Sequence, residues 1–307
     1  MAGWLRNTLI AVVVLLLVGD AAWYWYLGDG TPPGNLKPYS FDIAAVRAKA
    51  DELPGGKATD IRVETVATAN QLALFSVGGD GFNSVPMGAF SYQVVLPTDT
   101  IVIDSAFAKD QAPIKLFPTY DDDAQARMDA GLGEATQIIV THEHADHIGG
   151  LARFYRTVSD IGTAIRLTPE QLAHVDPSLS DDSKAFANIA PFDYDQYLAI
   201  APGVVLIKAP GHTPGSQMIY VKREDGRELL FLGDIAWLMR SVETGKGRPR
   251  LISQMLDGED RDAVFAQLAM LKALHAAEPG ILMVPGHDVT AVQGLIASGA
   301  MTGKFKL

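Results

Sequence analysis

The sequence predicts an α/β fold with two β-sheets packed face to face and helices on their outer sides. In both halves of the chain, short β-branched segments alternate with helical ones, without the strict strand–helix–strand rhythm of a doubly wound sheet. The 307 residues are 48% hydrophobic and 20% charged, which is enough apolar surface for a sizeable core. We therefore expect one globular domain over residues 41–307.

Strands are predicted where β-branched and aliphatic residues stand between turn-forming residues. The predicted strands are residues 61–65, 72–77, 92–96, 100–103, 138–140, 164–167, 204–209, 218–221, 229–232 and 281–284. The predicted helices are residues 41–53, 121–134, 151–158 and 261–277. Residues 172–201 are irregular and acidic, and we expect them to cap a site.

The N-terminus predicts a membrane anchor or a signal peptide over residues 1–27. Arg6 precedes an apolar stretch, residues 9–27, which as a helix would be about 28 Å long and would cross a bilayer core. Trp23–Tyr26 would lie at the far interface, although Asp20 carries a cost in the membrane. Alternatively, Gly19-Asp20-Ala21 offers small residues for signal cleavage, and a third interpretation is a buried helix of the globular body. The anchor and the signal peptide both place the body in the bacterial periplasm, tethered to the inner membrane if the segment is uncleaved, with residues 28–40 as a linker.

Composition excludes several classes of function. The chain has no cysteine, which rules out disulfides, zinc–thiolate sites and cysteine nucleophiles. Its net charge is −11, from 25 basic and 36 acidic residues. Since an acidic body repels phosphate backbones, nucleic acid is not expected as a partner, and a small molecule is.

The stretch THEHADHIGG, residues 141–150, predicts a metal site. It holds three of the 7 histidines of the chain, directly after a β-branched strand. Residues two apart in an extended segment point the same way, so His142 and His144 can converge on one ion. Asp146 and His147 follow where the chain turns towards a helix and can face a second ion. Imidazole and carboxylate are ligands that zinc and similar metals prefer.

Three further strand ends carry the same chemistry. His212, Asp234 and His287 each follow an apolar strand, and each is directly preceded by glycine. Glycine lets the backbone turn sharply and approach an ion. Together with the HxHxDH motif, these residues offer five imidazoles and two carboxylates, which is enough for two metal ions with an open position for water.

This series of motifs resembles the metallo-β-lactamase superfamily of metal hydrolases, over roughly residues 61–288. The resemblance implies an αβ/βα four-layer sandwich with the site at one edge, and two zinc ions per chain, other divalent metals being possible. The ligand sets that it implies are His142, His144 and His212 for one ion, and Asp146, His147 and His287 for the other. Asp234 would bridge the two ions, and Asp104 would orient histidine ligands.

The same resemblance implies hydrolysis by a hydroxide that bridges the two metals, because two cations lower the pKa of a shared water towards neutrality. Asp146 is expected to steer the hydroxide and to carry a proton to the leaving group. The expected substrates are small esters or lactones. The alternatives are a mononuclear iron oxidoreductase of the persulfide-dioxygenase kind, a β-lactam or phosphodiester hydrolase on the same site, and a binding module without activity.

Within the superfamily, lactonases that degrade acyl-homoserine lactones carry this ligand set. They also have a tyrosine three residues after the bridging aspartate, where this chain has Trp237. Trp237 cannot act as an acid, but its indole N–H can donate a hydrogen bond. Glyoxalase II-like thioesterases carry an added helical domain after the last ligand, whereas only a short segment follows His287 here.

The candidate substrate-binding residues are the apolar side chains close to the ligand loops. They are Trp237, Phe107 and Met87, with Phe82, Phe90 and Met239 as further candidates. His174 lies in the predicted cap and is a weaker candidate. The basic run Arg240, Lys246, Arg248 and Arg250 is expected to be a solvated loop, or else to meet an anionic substrate.

Overall fold

The computed structural model of the chain describes residues 2–306, and its centre is a pair of β-sheets. The strands are β1 (Asp60–Leu72), β2 (Ser84–Val95), β3 (Thr100–Ile103), β4 (Thr119–Tyr120), β5 (Gln137–Ile139), β6 (Tyr197–Ala201), β7 (Val204–Lys208), β8 (Gln217–Lys222), β9 (Glu228–Gly233), β10 (Ile281–Pro285) and β11 (Thr302–Gly303). One sheet has the order β11-β1-β2-β3-β5, with β4 also paired to β1. The other has the order β10-β9-β8-β7-β6.

The helices are α1 (Ala2–Trp23), α2 (Ile43–Ala50), α3 (Ala73–Ser76), α4 (Asp122–Glu134), α5 (Ala145–Thr157), α6 (Pro169–Ala173), α7 (Met239–Thr244), α8 (Arg261–Ala277) and α9 (Val289–Ala297). Helices α4 and α5 cover the outer face of one sheet, and α2 and α8 that of the other. Short 3₁₀ segments lie at Ala112–Lys115, Ser159–Thr163, Pro177–Leu179 and Asp182–Asn188, and π-helical turns at Tyr24–Gly28 and Leu251–Leu256.

Three apolar cores hold these layers together. The central one fills the space between the sheets, with side chains such as Ile103 from one sheet and Phe231 from the other. A second packs α4 and α5 against the first sheet, and a third packs α2 and α8 against the second. The order is therefore helix, sheet, sheet, helix, which confirms the predicted four-layer sandwich.

The predicted helix over residues 261–277 is confirmed residue for residue by α8, in which Val264, Leu268, Leu271 and Leu274 are buried. The predicted helix 121–134 is confirmed by α4, for which Asp121 is the N-cap and accepts a hydrogen bond from the Ala124 backbone N–H at 2.9 Å. In both, the polar and apolar periodicity of the sequence agrees with the tertiary packing, so the local pattern was sufficient.

Other predicted elements are wrong. Residues 72–77 are not a strand: β1 ends at Leu72, and the following apolar residues form α3, buried by tertiary contacts that periodicity does not reveal. Residues 164–167 make only one bridge, between Ile165 and Ile138, before Pro169 starts α6. Within the predicted irregular cap, residues 197–201 form strand β6.

Helix α5 begins at Ala145, six residues earlier than predicted. The pair Gly149-Gly150 favoured a turn, but both residues lie inside the helix and are buried. A Cβ on Gly150 would lie 2.1 Å from the carbonyl oxygen of Ser105. Glycine is thus present because helix and neighbouring loop pack closely, and this packing overrides its low helix propensity.

At the N-terminus, α1 and the π-helical turn after it form one continuous apolar helix. Residues Gly3–Gly28 are long and apolar enough to cross a membrane, and none of the apolar window is buried against the body. Residues 29–42 contain no helix or strand. They nevertheless lie along the body, where the Tyr39 hydroxyl donates to the Lys208 carbonyl oxygen at 2.5 Å.

Candidate metal centre

The candidate ligands come from four loops that leave the sheets at one edge. Strand β5 leads to the HxHxDH motif, while β7, β9 and β10 lead to His212, Asp234 and His287. The first loop stays extended as far as His144, the N-cap of α5, so that Asp146 and His147 lie in the first turn of the helix. A carboxylate in this position is also favoured by the helix dipole.

The first cluster contains His142, His144 and His212. Their ligand nitrogens all lie within 4.8 Å of one another. The closest pair is Nδ1 of His144 and Nε2 of His212, at 3.0 Å. His142 and His212 are buried, whereas His144 is partly exposed.

The second cluster contains Asp146, His147 and His287, again within 4.8 Å. Nε2 of His287 lies 3.4 Å from Nε2 of His147 and 3.5 Å from Oδ2 of Asp146. Both imidazoles are buried, and the carboxylate is half-buried at the surface of a cavity.

Asp234 lies between the two clusters. Its Oδ2 is 3.2 Å from Nε2 of His287 and 3.5 Å from Nε2 of His212, and its Oδ1 is 3.3 Å from Nε2 of His147. Nε2 of His142 is 3.8 Å from Oδ2. One buried carboxylate therefore reaches imidazoles of both clusters, as a bridging ligand would.

These residues fit a pair of divalent cations. Nε2 of His142 and Oδ1 of Asp234 are buried without a hydrogen-bond partner, which is costly unless a ligand satisfies them. Burial lowers the pKa of His142 well below its ordinary value, which keeps its imidazole in the neutral form that binds metal. Five imidazoles and two carboxylates are a donor set that suits zinc and related metals.

The other ring nitrogens of three histidines are held by specific acceptors. Nδ1 of His147 lies 3.0 Å from Oδ2 of Asp104, and Nδ1 of His287 lies 2.8 Å from the Gly88 carbonyl oxygen. Nδ1 of His212 lies 3.2 Å from Oε2 of Glu259. Such contacts fix the tautomer and the orientation of a ligand imidazole.

Asp104 thus has the position predicted for a residue that orients ligands. Besides His147, it accepts hydrogen bonds from the Thr141 backbone N–H at 2.6 Å and the Thr141 hydroxyl at 2.8 Å. Its backbone has a φ of 56°, in the left-handed region that is unfavourable for aspartate. Strain of this kind is typical of functional sites. Burial alone would lower the pKa of His147, but Asp234 and Asp104 raise it well above its ordinary value.

The glycine before His287 is required by the close approach of two ligand loops. A Cβ on Gly286 would lie 2.1 Å from Oδ1 of Asp234 and 3.0 Å from the Gly233 carbonyl oxygen. Any larger residue would displace the carboxylate that joins the clusters.

A buried ion-pair network behind His212 was not predicted from the sequence. Arg248 donates to Oε2 of Glu259, and both side chains are almost fully buried. The Arg248 guanidinium also lies over the Trp237 ring, 4.8 Å from its centre. Burial alone would raise the pKa of Glu259, but the charge of Arg248 and the contact with His212 lower it to about 2.

The expectation that the basic run is a solvated loop is therefore wrong for Arg248. Arg240 is exposed and pairs with Asp80 at 3.1 Å, and Arg250 pairs with Asp29 at 3.1 Å. Nothing local distinguishes Arg248 from its neighbours, because its partner Glu259 is brought close only by the fold. Within the described part of the chain, no residue of the run lines the cavity at the metal centre.

Glu143, inside the HxHxDH motif, is a second residue that sequence reasoning missed. It is buried, and it accepts hydrogen bonds from the Thr213 hydroxyl at 2.9 Å and from the Gly215 backbone N–H at 3.0 Å. It therefore ties the loop of the first two histidines to the loop of His212. Its position between two ligand histidines was the available signal.

A cavity of about 480 Å³ opens over the metal centre. Its polar lining includes His144, Asp146, His174, His212, Asp176, Asp234 and Asp257, and its apolar lining includes Pro113, Leu116, Trp237 and Leu256. Burial raises the pKa of Asp257 to about 6, despite the nearby charges of Arg248 and His212. The predicted cap thus reaches the site through residues 174–178, although most of it lies elsewhere.

The three predicted substrate-binding residues have different positions. Trp237 lines the cavity, and its indole Nε1 donates to Oδ2 of Asp234 at 2.6 Å. Phe107 and Met87, in contrast, are fully buried in the core behind the site, where Phe107 packs against Phe117 and Tyr120. The prediction that these two contact substrate is wrong, because long-range packing covers both side chains.

The family model described as the metallo-beta-lactamase superfamily matches residues 85–287. This range is more than half of the chain and includes every candidate ligand. The chain belongs to the metallo-β-lactamase superfamily. Asp104, His142 and the other predicted residues of the centre thus lie within a segment that matches the family as a whole.

Two curated members of the superfamily illustrate its range. The chain is 28% identical over 160 residues to a hydroxyacylglutathione hydrolase of Bartonella quintana (strain Toulouse), covering 52% of this chain and 51% of the relative. It is 27% identical over 159 residues to an N-acyl homoserine lactonase of a Bacillus species, covering 51% and 57%. The chain therefore spans about half the length of the curated relatives it matches.

Solved structures of the superfamily show the same fold. An N-acyl homoserine lactone hydrolase with N-hexanoyl-L-homoserine at its catalytic metal centre superposes with a TM-score of 0.60 at 14% identity, covering 78% of this chain and 96% of the other. A dizinc quorum-quenching lactonase superposes with a TM-score of 0.55 at 17% identity, covering 78% and 92%.

Proposed function

We propose that this member of the superfamily hydrolyses ester or lactone bonds of small substrates with two divalent cations, zinc being the preferred ion. The observation that carries the proposal is the position of Asp234. Its carboxylate lies within hydrogen-bond or ion-pair distance of imidazoles from both clusters, so the seven ligands form one centre for two ions rather than two separate sites.

The chemistry divides between the ions and the chain. Bound in pairs, divalent cations lower the pKa of a shared water and polarise the bond that is attacked. The residues of the chain orient the reaction. Asp146 lies at the cavity surface beside His287 and is placed to accept a proton from the attacking water and to deliver it to the leaving oxygen. Trp237 holds Asp234 in place through its indole N–H.

The charge of the cavity limits the substrate. Four aspartates line it, Asp146, Asp176, Asp234 and Asp257, and no lysine or arginine is among its described lining residues. Asp146 and Asp234 would hold the cations, which leaves Asp176 and Asp257 at the cavity surface and, among the described lining residues, no lysine or arginine to bind the further charges of a polyanionic substrate such as a phosphodiester backbone. A neutral ester or lactone needs no such partner, and the apolar lining residues suit its acyl part. Two of the superfamily members that resemble the chain are named as lactonases, which supports the same choice.

A substrate screen on metal-loaded protein tests this proposal. We expect turnover of lactones and aryl esters, little turnover of phosphodiesters and β-lactams, and its loss in His144→Ala. His275→Ala is the matched control, because His275 lies on α8 outside the centre. Oxygen consumption by iron-loaded protein without any hydrolysis would instead indicate a mononuclear oxidoreductase and would overturn the proposal.

We also propose that residues 9–27 remain in the protein as an anchor that tethers the body at the periplasmic face of the inner membrane. The support is the apolar helix Gly3–Gly28, in which no residue of the apolar window is buried by the body. Mass measurement of the N-terminus in the membrane fraction tests this. Loss of residues 1–21 would contradict it.

A further inference from the structure

The end of the N-terminal helix is built into the body at one place. The Trp25 ring lies 4.0 Å from the guanidinium carbon of Arg250, which also pairs with Asp29 at 3.1 Å. The buried Arg261 donates to the Asp29 carbonyl oxygen at 2.8 Å. The Gly247 backbone N–H donates to the Gly30 carbonyl oxygen at 2.9 Å. We call residues 24–30 the foot of the helix.

The contact between the foot and the body lies close in sequence to residues that line the cavity. Arg250 is the N-cap of the π-helical turn Leu251–Leu256, which is no longer than about 9 Å. Leu256 at its other end lines the cavity, as does Leu116. The foot also contacts the loop after α3, since a Cβ on Gly78 would lie only 2.5 Å from the Gly30 backbone nitrogen.

The most exposed apolar side chains of the body lie on the π-helical turn, on the loop after α3 and at the end of the 3₁₀ segment Ala112–Lys115. Phe82, Leu116, Met255 and Leu256 are 62–71% exposed. The other exposed large apolar residues among the described residues 41–306 are Leu53, Leu72 and Ile296, at only 36–37%. Leu116 and Leu256 line the cavity, Met255 precedes Leu256, and Phe82 lies on the loop that contacts the foot. Exposed apolar side chains concentrated in this way are unusual for a surface that faces only water.

We propose that Phe82, Leu116, Met255 and Leu256, here called the mouth surface, lie against a lipid bilayer and admit acyl substrates directly from it. This rests on the proposed hydrolase function and on an uncleaved anchor. A helix over Gly3–Gly28 is about 39 Å long, so with a bilayer core of about 30 Å its foot lies among the headgroups. Met255 and Leu256, one short turn away from the foot contact at Arg250, are then at the interface too, and so is Phe82 on the loop that contacts the foot.

The distribution of charge on the body is consistent with a lipid bilayer as the partner of the mouth surface. The body as a whole is acidic, and an anionic leaflet would repel it. The segment next to the foot is less acidic than this average, because residues 239–256 contain four basic residues and one acidic residue. Arg248 is buried and paired with Glu259, whereas Arg240, which pairs with Asp80, and Lys246 reach the surface there. The substrate class that this arrangement selects is an amphiphilic ester or lactone whose acyl chain partitions into the bilayer.

The absence of cysteine from the natural chain makes the inference testable with single labels. Met255→Cys and Phe82→Cys are labelled with an environment-sensitive fluorophore in the full chain, reconstituted in vesicles of phosphatidylethanolamine and phosphatidylglycerol. We expect quenching by lipids with a spin label near the headgroup and a severalfold loss of quenching by iodide in the water. Leu53→Cys and Ile296→Cys are the matched controls and should behave in the opposite way.

Equal iodide quenching at positions 255 and 296 would overturn the proposal. So would protection of position 255 that depends on protein concentration, because a second copy of the chain would then cover the mouth surface. This readout needs no turnover, so its failure is distinct from failure of the proposed hydrolysis.

A second arm compares acyl esters of increasing chain length. Each added methylene favours the bilayer by about fourfold, so the rate on vesicles should rise with chain length. In the variant Phe82→Ser/Met255→Ser, the increase of the rate with chain length should be severalfold smaller, whereas the turnover of a short, water-soluble ester should be unchanged. Identical chain-length profiles for this variant and for Leu53→Ser/Ile296→Ser would contradict the inference.

Discussion

The substitution Arg248→Met tests whether the buried ion pair behind His212 maintains the metal centre. Arg248 is the largest favourable contributor to the low pKa of Glu259, which falls from 4.5 to about 2. At about 1.4 kcal/mol per pKa unit, this corresponds to about 3 kcal/mol of stabilisation at neutral pH. Removing Arg248 leaves the Glu259 carboxylate buried and unpaired, so we expect the free energy of unfolding to fall by about 3 kcal/mol.

The pH dependence has a definite sign. A carboxyl with a depressed pKa in the folded state stabilises it above the unfolded pKa, here 4.5, and this contribution is lost as the pH falls through about 2. The difference between wild type and Arg248→Met should therefore be full at neutral pH and should shrink as Glu259 becomes protonated. Urea unfolding in the presence of a chelator measures it without linkage to metal binding.

The double variant Arg248→Met/Glu259→Gln is the matched control. It removes both charges and keeps an oxygen that can accept from His212, so it should be more stable than the single variant by about 2 kcal/mol. If the double variant is no more stable than Arg248→Met, or if the single substitution costs less than about 1 kcal/mol, the reasoning is refuted.

Three other substitutions test the packing around Gly286, the hydrogen bond of Trp237 and the burial of Asp129. Gly286→Ala places a methyl group against Asp234, so its melting temperature in thermal unfolding should be clearly lower than that of the wild type. The control Gly280→Ala has open space around it and should melt like the wild type. Equal melting temperatures for the two variants would contradict the close approach of Gly286 to Asp234. Trp237→Phe removes the hydrogen bond to Asp234 and should weaken metal binding by about 10-fold or more in chelator competition, and unchanged affinity would count against it. Asp129→Asn should raise the free energy of unfolding by about 1 kcal/mol above pH 6 but not below about pH 4, because burial raises the pKa of Asp129 to about 6. A gain in stability that does not depend on pH would contradict this cause.

The sequence was most informative where local pattern and function agree. His212, Asp234 and His287 could be predicted because each follows an apolar strand, and strand ends of a layered fold meet at one edge. The extent of α8 could be predicted from its apolar face alone. Predictions of this kind need only the periodicity of apolar residues along the chain and the chemistry of the side chains.

The failures have a common cause in long-range packing. Phe107 and Met87 were expected at the substrate, but distant segments bury them. Arg248 was expected in solvent, yet Glu259 comes next to it only in the folded chain. Gly149 and Gly150 inside α5 suggested a turn, because the carbonyl oxygen of Ser105, which requires the small size of Gly150, is far away in sequence. None of these contacts has a local signal.

In the proposed centre, two clusters of ligands share Asp234 and hold two cations. Elemental analysis of the purified chain after dialysis against trace zinc measures the number of bound ions. We expect about two zinc ions per chain in the wild type, and a lower content in Asp234→Ala. A single ion or none in the wild type, or an unchanged metal content in Asp234→Ala, would contradict it.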